Sequence, residues 1–264
     1  MRLGLTESCE RHVTSQLVRM HERLLSAKRA ATEELLFEVE QNARLVRDAE
    51  QYYRSMLSDD VAAWNVRDRH MVDTLEAVAE HLEDKLGRRS KIVVWAHNWH
   101  LGDARATELA RRGEVSVGQL VRESHGRDAF LIGITTYDGT VMAARDWGRP
   151  PLGVALRPAV AGSHEQLLHA VLGELDIDAA VVLPDADRRL PAVLRRDRLE
   201  RAFPAVSTGC TGNEEENQRE WFSARLGDQF DAAIHIDRSS AVVPLDEPRL
   251  EKLHDTPDTF PTAY

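Results

Sequence analysis

The sequence predicts an α/β protein in which a helical N-terminal region is followed by a largely parallel sheet flanked by helices. Two observations support this fold class. Apolar residues recur every three or four positions in the first third of the chain, which is the spacing of an amphipathic helix. After residue 87 they instead form short, uninterrupted runs separated by helical or turn-rich segments, as in strands buried on both faces of a parallel sheet.

The helical region is expected over residues 1–86. Two stretches of helical spacing lie within it. The later one runs from Thr74 to Leu82, and Gly87 follows as a helix stop. The first periodic stretch comprises Leu17, Met20, Leu24, Leu35, Leu36, Val39, Leu45, Ala49, Tyr52 and Met56.

The α/β domain is expected over residues 87–254, followed by a loosely held tail at 255–264. Asp138 and Gly139 form a dipeptide typical of tight turns, which predicts a β-hairpin over residues 131–144 at one edge of the sheet. The apolar runs that predict strands lie at residues 92–95, 130–134, 179–183 and 232–236.

Composition excludes several classes of protein. The 34 Lys and Arg against 44 Asp and Glu give a net charge of −10, which repels nucleic acid and anionic membrane surfaces. Cys9 and Cys210 are too few for a disulfide framework or a four-cysteine zinc site, and they favour a reducing compartment. There is no apolar run suited to a signal peptide or a membrane span, so a cytoplasmic protein is expected.

Residues 93–103 read VVWAHNWHLGD and carry the strongest functional signal. Three apolar residues of strand character lead into His97 and His100, and a Gly-Asp pair ends at Asp103. In open α/β sheets, the loops at the carboxyl ends of strands form the ligand crevice. We therefore interpret the two histidines as functional, the alternative being hydrogen-bonded structural residues.

Two kinds of chemistry suit such a pair. Neutral imidazoles bind zinc, but a catalytic zinc site normally has three protein ligands, and Asp103 or His235 would supply the third only if the fold brought it close. In general acid–base catalysis, one histidine accepts a proton from water and the other polarises or protonates the substrate. The sequence lacks the H-E-x-x-H, G-x-S-x-G, G-x-G-x-x-G and P-loop motifs, so acid–base chemistry without a metal or cofactor is favoured.

The sequence also resembles the erythromycin esterase family over roughly residues 30–250. The most specific block is the W-A-H-N-x-H-x-G-D pattern of residues 95–103. Other blocks follow in the family's order, among them QNARLVRDAEQYYRSML, WNVRDRHMVDTLEAV, VGQLVRE, FLIGITTYDGTV and QFDAAIHIDRSSAVVPL.

The resemblance implies an α/β fold with a helical region, and hydrolysis of a carboxylic ester in a small-molecule substrate by water without a required metal. In some members the substrate is the lactone of a macrolide antibiotic. His97 and His100 match the family's paired active-site histidines. Asn98 and Asp103 match the motif's other polar positions, where we expect them to hold the loop and the imidazole tautomers by hydrogen bonding.

Further residues have two interpretations each. The resemblance places Arg67 and Asp68 near the pocket, although a surface ion pair is the alternative. Tyr137 is expected either to donate a hydrogen bond in the pocket or to be half buried in the hairpin. His125 is expected at a helix end, outside the site, and His235 is expected to be a hydrogen-bonded core residue.

The sequence also departs from the family pattern. Members carry a strand and an E-A-T-H-G-like segment whose histidine is the principal base, and this sequence has no counterpart. A truncated or non-catalytic relative, acting as a fragment or with a partner chain, is therefore the alternative to an active hydrolase. An exposed sheet edge would invite self-association or such a partner.

Overall fold

A computed structural model describes residue 19 and residues 33–56, 60–143, 152–202 and 220–243. The chain forms two compact units. Of the described residues, those up to 100 and those from 109 to 126 belong to the helical unit, and the others belong to the sheet unit. The periodic residues Leu17, Met20 and Leu24, the two cysteines and the tail at 255–264 lie outside the described residues.

Two long helices form the main part of the helical unit, as their apolar periodicity predicts. Helix α1 spans Glu33–Met56 and helix α2 spans Asp60–Leu86. They are antiparallel, because the start of α1 contacts the end of α2: Glu34 pairs with Lys85, and the rings of Phe37 and His81 stack 4.1 Å apart. Gly87 ends α2 with a left-handed φ of 62°, which confirms the predicted stop.

The segment before the paired histidines is not a strand, so the prediction for residues 92–95 was wrong. No strand in the described part of the chain pairs with it. Val93 and Trp95 are 91% and 86% exposed. An apolar run indicates only that a segment is suited to burial in a sheet. A strand also requires a neighbouring strand whose backbone groups complete its hydrogen bonds.

The sheet unit contains a four-stranded sheet in the order β2-β1-β6-β3. Strands β1 and β6 are parallel, whereas β1 with β2 and β3 with β6 are antiparallel. The α/β class is as predicted, but the sheet is mixed rather than largely parallel. The four strands are β1 at Ile132–Ala143, β2 at Leu152–Leu156, β3 at Ala179–Val182 and β6 at Ala232–Ser239.

The predicted turn at Asp138 and Gly139 does not occur, because β1 continues through both residues. Gly139 has a φ of 120°, and a Cβ there would lie 2.1 Å from the backbone oxygen of Ser239 in β6. Glycine is needed for this close approach of two strands and not for a reversal of the chain. The antiparallel pairing that the hairpin prediction anticipated is made between β1 and β2.

One face of the sheet is covered by helix α5, which spans His164–Leu175. Leu168 of α5 joins Leu131, Phe230 and Ala233 in the buried core. The opposite face was expected to be buried too, but its apolar residues are exposed in the described part of the chain. These are Ile132, Ile134, Val181 and Ile236.

The remaining elements are short. Among the described residues, no helix is long and apolar enough to cross a bilayer. The short elements are α3 at Asn98–Leu101, α4 at Val117–His125, α6 at Leu226–Gln229, the hairpin of β4 at Arg198–Arg201 with β5 at Trp221–Ala224, and 3₁₀ turns at Ala104–Ala106, Glu108–Arg112, Gly126–Asp128 and Ala192–Arg195.

Candidate active site

His97 and His100 lie on one helical turn. His100 N donates a hydrogen bond to the backbone oxygen of His97 at 3.0 Å, and His97 Nδ1 accepts from Trp99 N at 3.2 Å. His97 therefore caps the start of α3 with its own ring, in the way a serine or aspartate side chain caps a longer helix. His97 therefore directly precedes the turn, and His100 is the third of its four residues.

His100 is held by a carboxylate from helix α2. Its Nδ1 lies 2.9 Å from Oδ1 and 3.1 Å from Oδ2 of Asp68, a residue with no exposed surface. The same carboxylate accepts a hydrogen bond from Val117 N at 3.2 Å, where α4 begins. A carboxylate that accepts from Nδ1–H leaves Nε2 of His100 with a free lone pair, which is the tautomer that a general base requires.

An aromatic ring covers one face of His100. Trp64 of α2 lies parallel to it, with an angle of 4° between the ring planes and 4.8 Å between the centroids. Trp64 is four residues before Asp68, so both side chains project from the same face of α2. Sequence reasoning singled out Asp68 but missed Trp64, although this four-residue spacing was a signal that could have identified it.

The two imidazoles differ in electrostatics and in tautomer. His97 is an exposed residue, but the part of its ring that lies against the protein is desolvated, which lowers its pKa. Repulsion from His100 lowers the pKa further when that ring is protonated. His97 is therefore neutral at pH 7. Because its Nδ1 accepts a hydrogen bond, its proton resides on Nε2. The hydrogen bonds thus select opposite tautomers, with the proton on Nδ1 in His100 and on Nε2 in His97.

The other predicted residues of the helical unit flank this arrangement. Arg67 places its guanidinium carbon 4.7 Å from the Trp64 ring centroid and 6.0 Å from that of Tyr52. Asn98 is the first residue of α3. We expected Asn98 and Asp103 to hold the imidazole tautomers. In the structure, it is Asp68 that accepts the hydrogen bond from His100 Nδ1.

Asp103 and Tyr137 belong to the sheet unit and make their contacts there. Asp103 is buried and begins the 3₁₀ turn at Ala104–Ala106. It accepts a hydrogen bond from Arg105 N at 3.1 Å and two from the Arg105 guanidinium at 2.9 and 2.7 Å. Tyr137 stacks on His169 with 3.7 Å between ring centroids, and His169 Nδ1 lies 2.8 Å from an oxygen of Asp237. Asp103 thus shapes the chain after α3, and the contacts of Tyr137 match the half-buried sheet residue that the sequence allowed.

Two further histidines lie where the sequence places them. His125 ends α4 and contacts Glu76 at 2.6 Å. His235 is fully buried in β6, with Nδ1 2.8 Å from the hydroxyl oxygen of Thr135. Within the ranges that the structure describes, no group of three or more His, Cys, Asp or Glu side chains is arranged to hold a metal ion.

Comparison with known proteins places the chain in a family. The model of the erythromycin esterase family matches residues 2–239. Three solved structures have a similar fold at identities that support a likeness of fold alone. They are a Bacillus cereus protein (TM-score 0.60, 18% identity, 88% of this chain and 53% of that one), a succinoglycan biosynthesis protein (0.56, 16%, 88% and 51%) and a mutant of the erythromycin esterase EreC in its open conformation (0.60, 16%, 94% and 56%).

This chain therefore spans about half the length of the solved relatives. The family match, in contrast, extends over nearly all of its sequence, including the paired histidines and Asp68. The chain belongs to the erythromycin esterase family.

Proposed function

We propose that the chain carries the acid–base centre of a hydrolase that cleaves a carboxylic ester or lactone with water. The observation that supports this proposal is the pairing of His100 with the buried carboxylate of Asp68, in a chain that belongs to the erythromycin esterase family. A buried carboxylate that orients an imidazole and stabilises its protonated form is the arrangement by which many hydrolases activate a nucleophile.

In the proposed reaction, His100 serves as the general base, a role that the family resemblance gives to the histidine of the E-A-T-H-G-like segment. Its Nε2 accepts a proton from a water molecule while the water oxygen forms a bond to the carbonyl carbon of the substrate. The resulting imidazolium is stabilised by Asp68, and the carbonyl oxygen becomes the oxyanion of a tetrahedral intermediate. When the bond to the alkoxy leaving group breaks, the proton passes from Nε2 to that oxygen, and the products are an acid and an alcohol.

His97 supplies the hydrogen-bond donor in this proposal. Its lowered pKa keeps the ring neutral, and the bond from Trp99 N to Nδ1 places the remaining proton on Nε2. A neutral N–H directed at the carbonyl oxygen stabilises the negative charge that develops there. In this scheme His100 is the base and His97 is the hydrogen-bond donor, because their hydrogen-bond partners select opposite tautomers.

The proposed substrate is a small neutral or cationic ester, since the net charge of −10 disfavours anions. A macrolide lactone is one candidate, because one relative of similar fold is an erythromycin esterase. Asn98, Asp103, Tyr137 and Arg67 are proposed as supporting residues, and no metal or organic cofactor takes part in the scheme.

A second candidate function is that of a non-catalytic or partner-dependent relative. The observation that favours it is the exposure of Val93 and Trp95, immediately before the paired histidines. An extended apolar segment of this kind suits pairing with a strand of a second copy or of another chain. If the chain depends on a partner, the paired histidines are catalytic only when the second chain is bound.

The test is an esterase assay on the purified chain with p-nitrophenyl acetate and with erythromycin. The variants are His97→Ala and His100→Ala, and His125→Ala is the matched control because it removes another carboxylate-bonded histidine of the helical unit. The proposal expects wild-type turnover that His125→Ala retains and that either site variant abolishes. Equal rates in all four proteins would contradict it and favour the second candidate.

A further inference from the structure

The orientation of His100 is determined by two contacts of different geometry. The hydrogen bond between Nδ1 and Asp68 sets the direction of one edge of the ring, but by itself it allows the ring to turn about that bond. The parallel contact with Trp64, at 4.8 Å and 4°, limits that rotation because a turned ring would collide with the indole or lose its stacking. Together the two contacts determine where Nε2 points.

Trp64 is itself held in place by the loop that precedes α4. Its Nε1 donates to the backbone oxygen of Val115 at 2.8 Å. The next residue, Asn65, donates to Gly113 O at 2.9 Å and accepts from Val115 N at 2.8 Å. The indole plane is thus bonded to a segment that α2 secures at several points, so it is a fixed surface for the imidazole.

Arg67 adds a charged group to the same ring, with its guanidinium carbon 4.7 Å from the Trp64 centroid. A cation at this distance is attracted to the face of an indole. Trp64 therefore contacts both a permanent cation and the imidazole proposed as the base, while the indole itself carries no titratable group. The indole therefore takes no part in proton transfer.

We propose that Trp64 is a positioning residue for His100, and that its flat aromatic surface keeps Nε2 directed at the attacking water. This inference rests on the proposed role of His100 as the base. Misplacement of a reacting group by about 1 Å can cost a factor of ~10² in rate even when the group itself is intact. Loss of the flat surface should therefore lower kcat much more than it changes KM.

The experiment compares two substitutions that both remove the indole N–H bond to Val115. Trp64→Phe keeps an aromatic surface, whereas Trp64→Leu does not. We expect kcat for p-nitrophenyl acetate to fall by roughly 10- to 100-fold in Trp64→Leu and by only a few-fold in Trp64→Phe. Asn65→Ala, which removes two bonds to the same loop but no stacking, is the control for loosening of the loop, and we expect it to resemble Trp64→Phe.

A second readout does not depend on esterase activity. Carbon NMR relaxation of the His100 ring, assigned by comparison with His100→Ala, reports how far the ring moves on the nanosecond timescale and faster. We expect a rigid ring in the wild type and in Trp64→Phe, and a mobile ring in Trp64→Leu, while the bond to Asp68 keeps the Nδ1–H tautomer in all three proteins. Thermal unfolding identifies any variant that does not fold, and Trp64→Met then replaces Trp64→Leu as the non-aromatic variant.

The possible outcomes separate this inference from the proposed function. If the wild type hydrolyses no ester but the ring becomes mobile only in the non-aromatic variant, the positioning role stands and the hydrolase proposal fails. If the wild type is active and the non-aromatic variant matches it in kcat and in NMR, the positioning role is wrong. Equal losses in the aromatic and non-aromatic variants would also overturn it, because the flat surface would then be irrelevant.

Discussion

Asp68→Asn should disable the proposed base while leaving the fold largely intact. The new side chain has the same shape, so its amide oxygen can still accept the hydrogen bond from Val117 N, which lies 3.2 Å from the carboxylate in the wild type. Its NH₂ group would then face His100 Nδ1, which has to become an acceptor. The proton moves to Nε2, and the nitrogen that should accept a proton from water already carries one.

The expected magnitude follows from this change of tautomer. We expect kcat to fall by ~10²–10⁴-fold, or about 3–5 kcal/mol in activation free energy, since both the tautomer and the stabilisation of the imidazolium are lost. The free energy of unfolding should fall by only about 1–3 kcal/mol, because one hydrogen bond to a charged group becomes a neutral one. Catalysis and stability are thus affected to very different degrees.

The assay is steady-state hydrolysis of p-nitrophenyl acetate at pH 7.5, with urea unfolding measured on the same preparations. Glu76→Gln is the matched control, because it makes the same chemical change in a carboxylate of α2 that contacts His125 at 2.6 Å. We expect this control to retain the wild-type kcat. The reasoning is refuted if Asp68→Asn also keeps its kcat within about threefold of the wild type while remaining folded.

Four other measurements test the structure at different points. Burial lowers the pKa of His164 from an ordinary value of about 6.5 to about 4, so between these pH values the unfolded state binds more protons than the folded state. The free energy of unfolding, measured in urea, should therefore decrease from pH 6.5 to pH 4 by up to about 3 kcal/mol from this group. The decrease should be smaller in His164→Gln. Gly139→Ala should cost at least about 2 kcal/mol in urea unfolding, since the added Cβ would meet Ser239 O in β6; a loss below about 0.5 kcal/mol would contradict the close approach. Val93→Lys and Trp95→Lys should each change stability by less than about 0.5 kcal/mol and reduce any self-association seen by analytical ultracentrifugation; a large destabilisation would mean that the segment is buried. Equilibration with zinc, followed by dialysis and metal analysis, should leave no stoichiometric metal, whereas tight one-to-one binding would favour the metal alternative.

Local patterns in the sequence were sufficient for the helices and for the identity of the paired histidines. A period of 3.6 residues arises from geometry within one helix, so α1, α2 and the stop at Gly87 could be predicted without knowledge of any partner. The three-residue separation of His97 and His100 likewise places them on one turn in any helical conformation. The apolar runs of β1, β3 and β6 were also located correctly, since their length and composition are local properties.

Pairing and coverage depended on the tertiary structure. Residues 92–95 have the composition of a buried strand yet lie exposed, because composition cannot state whether a neighbouring strand is present. Composition likewise does not determine the direction in which strands pair, so the mixed sheet could not be predicted. Nor does it show that β1 continues through Gly139, where the glycine allows the close approach of β6 and does not form a turn. Burial on both sheet faces was predicted from apolar content, but whether a layer covers each face is decided by the rest of the chain.

The partners of His100 show the same division most clearly. The sequence placed Asp68 among the candidates but could not join it to an imidazole 32 residues later, and it left Trp64 unremarked, although both project from one face of α2. A helix face is a local property, whereas the loop that returns along it, bonded to Trp64, Asn65 and Asp68, is a long-range one. The tautomer of His100, and with it the proposed role as base, follows from the long-range bond to Asp68, whereas the tautomer of His97 follows from the local bond that Trp99 N donates to its Nδ1.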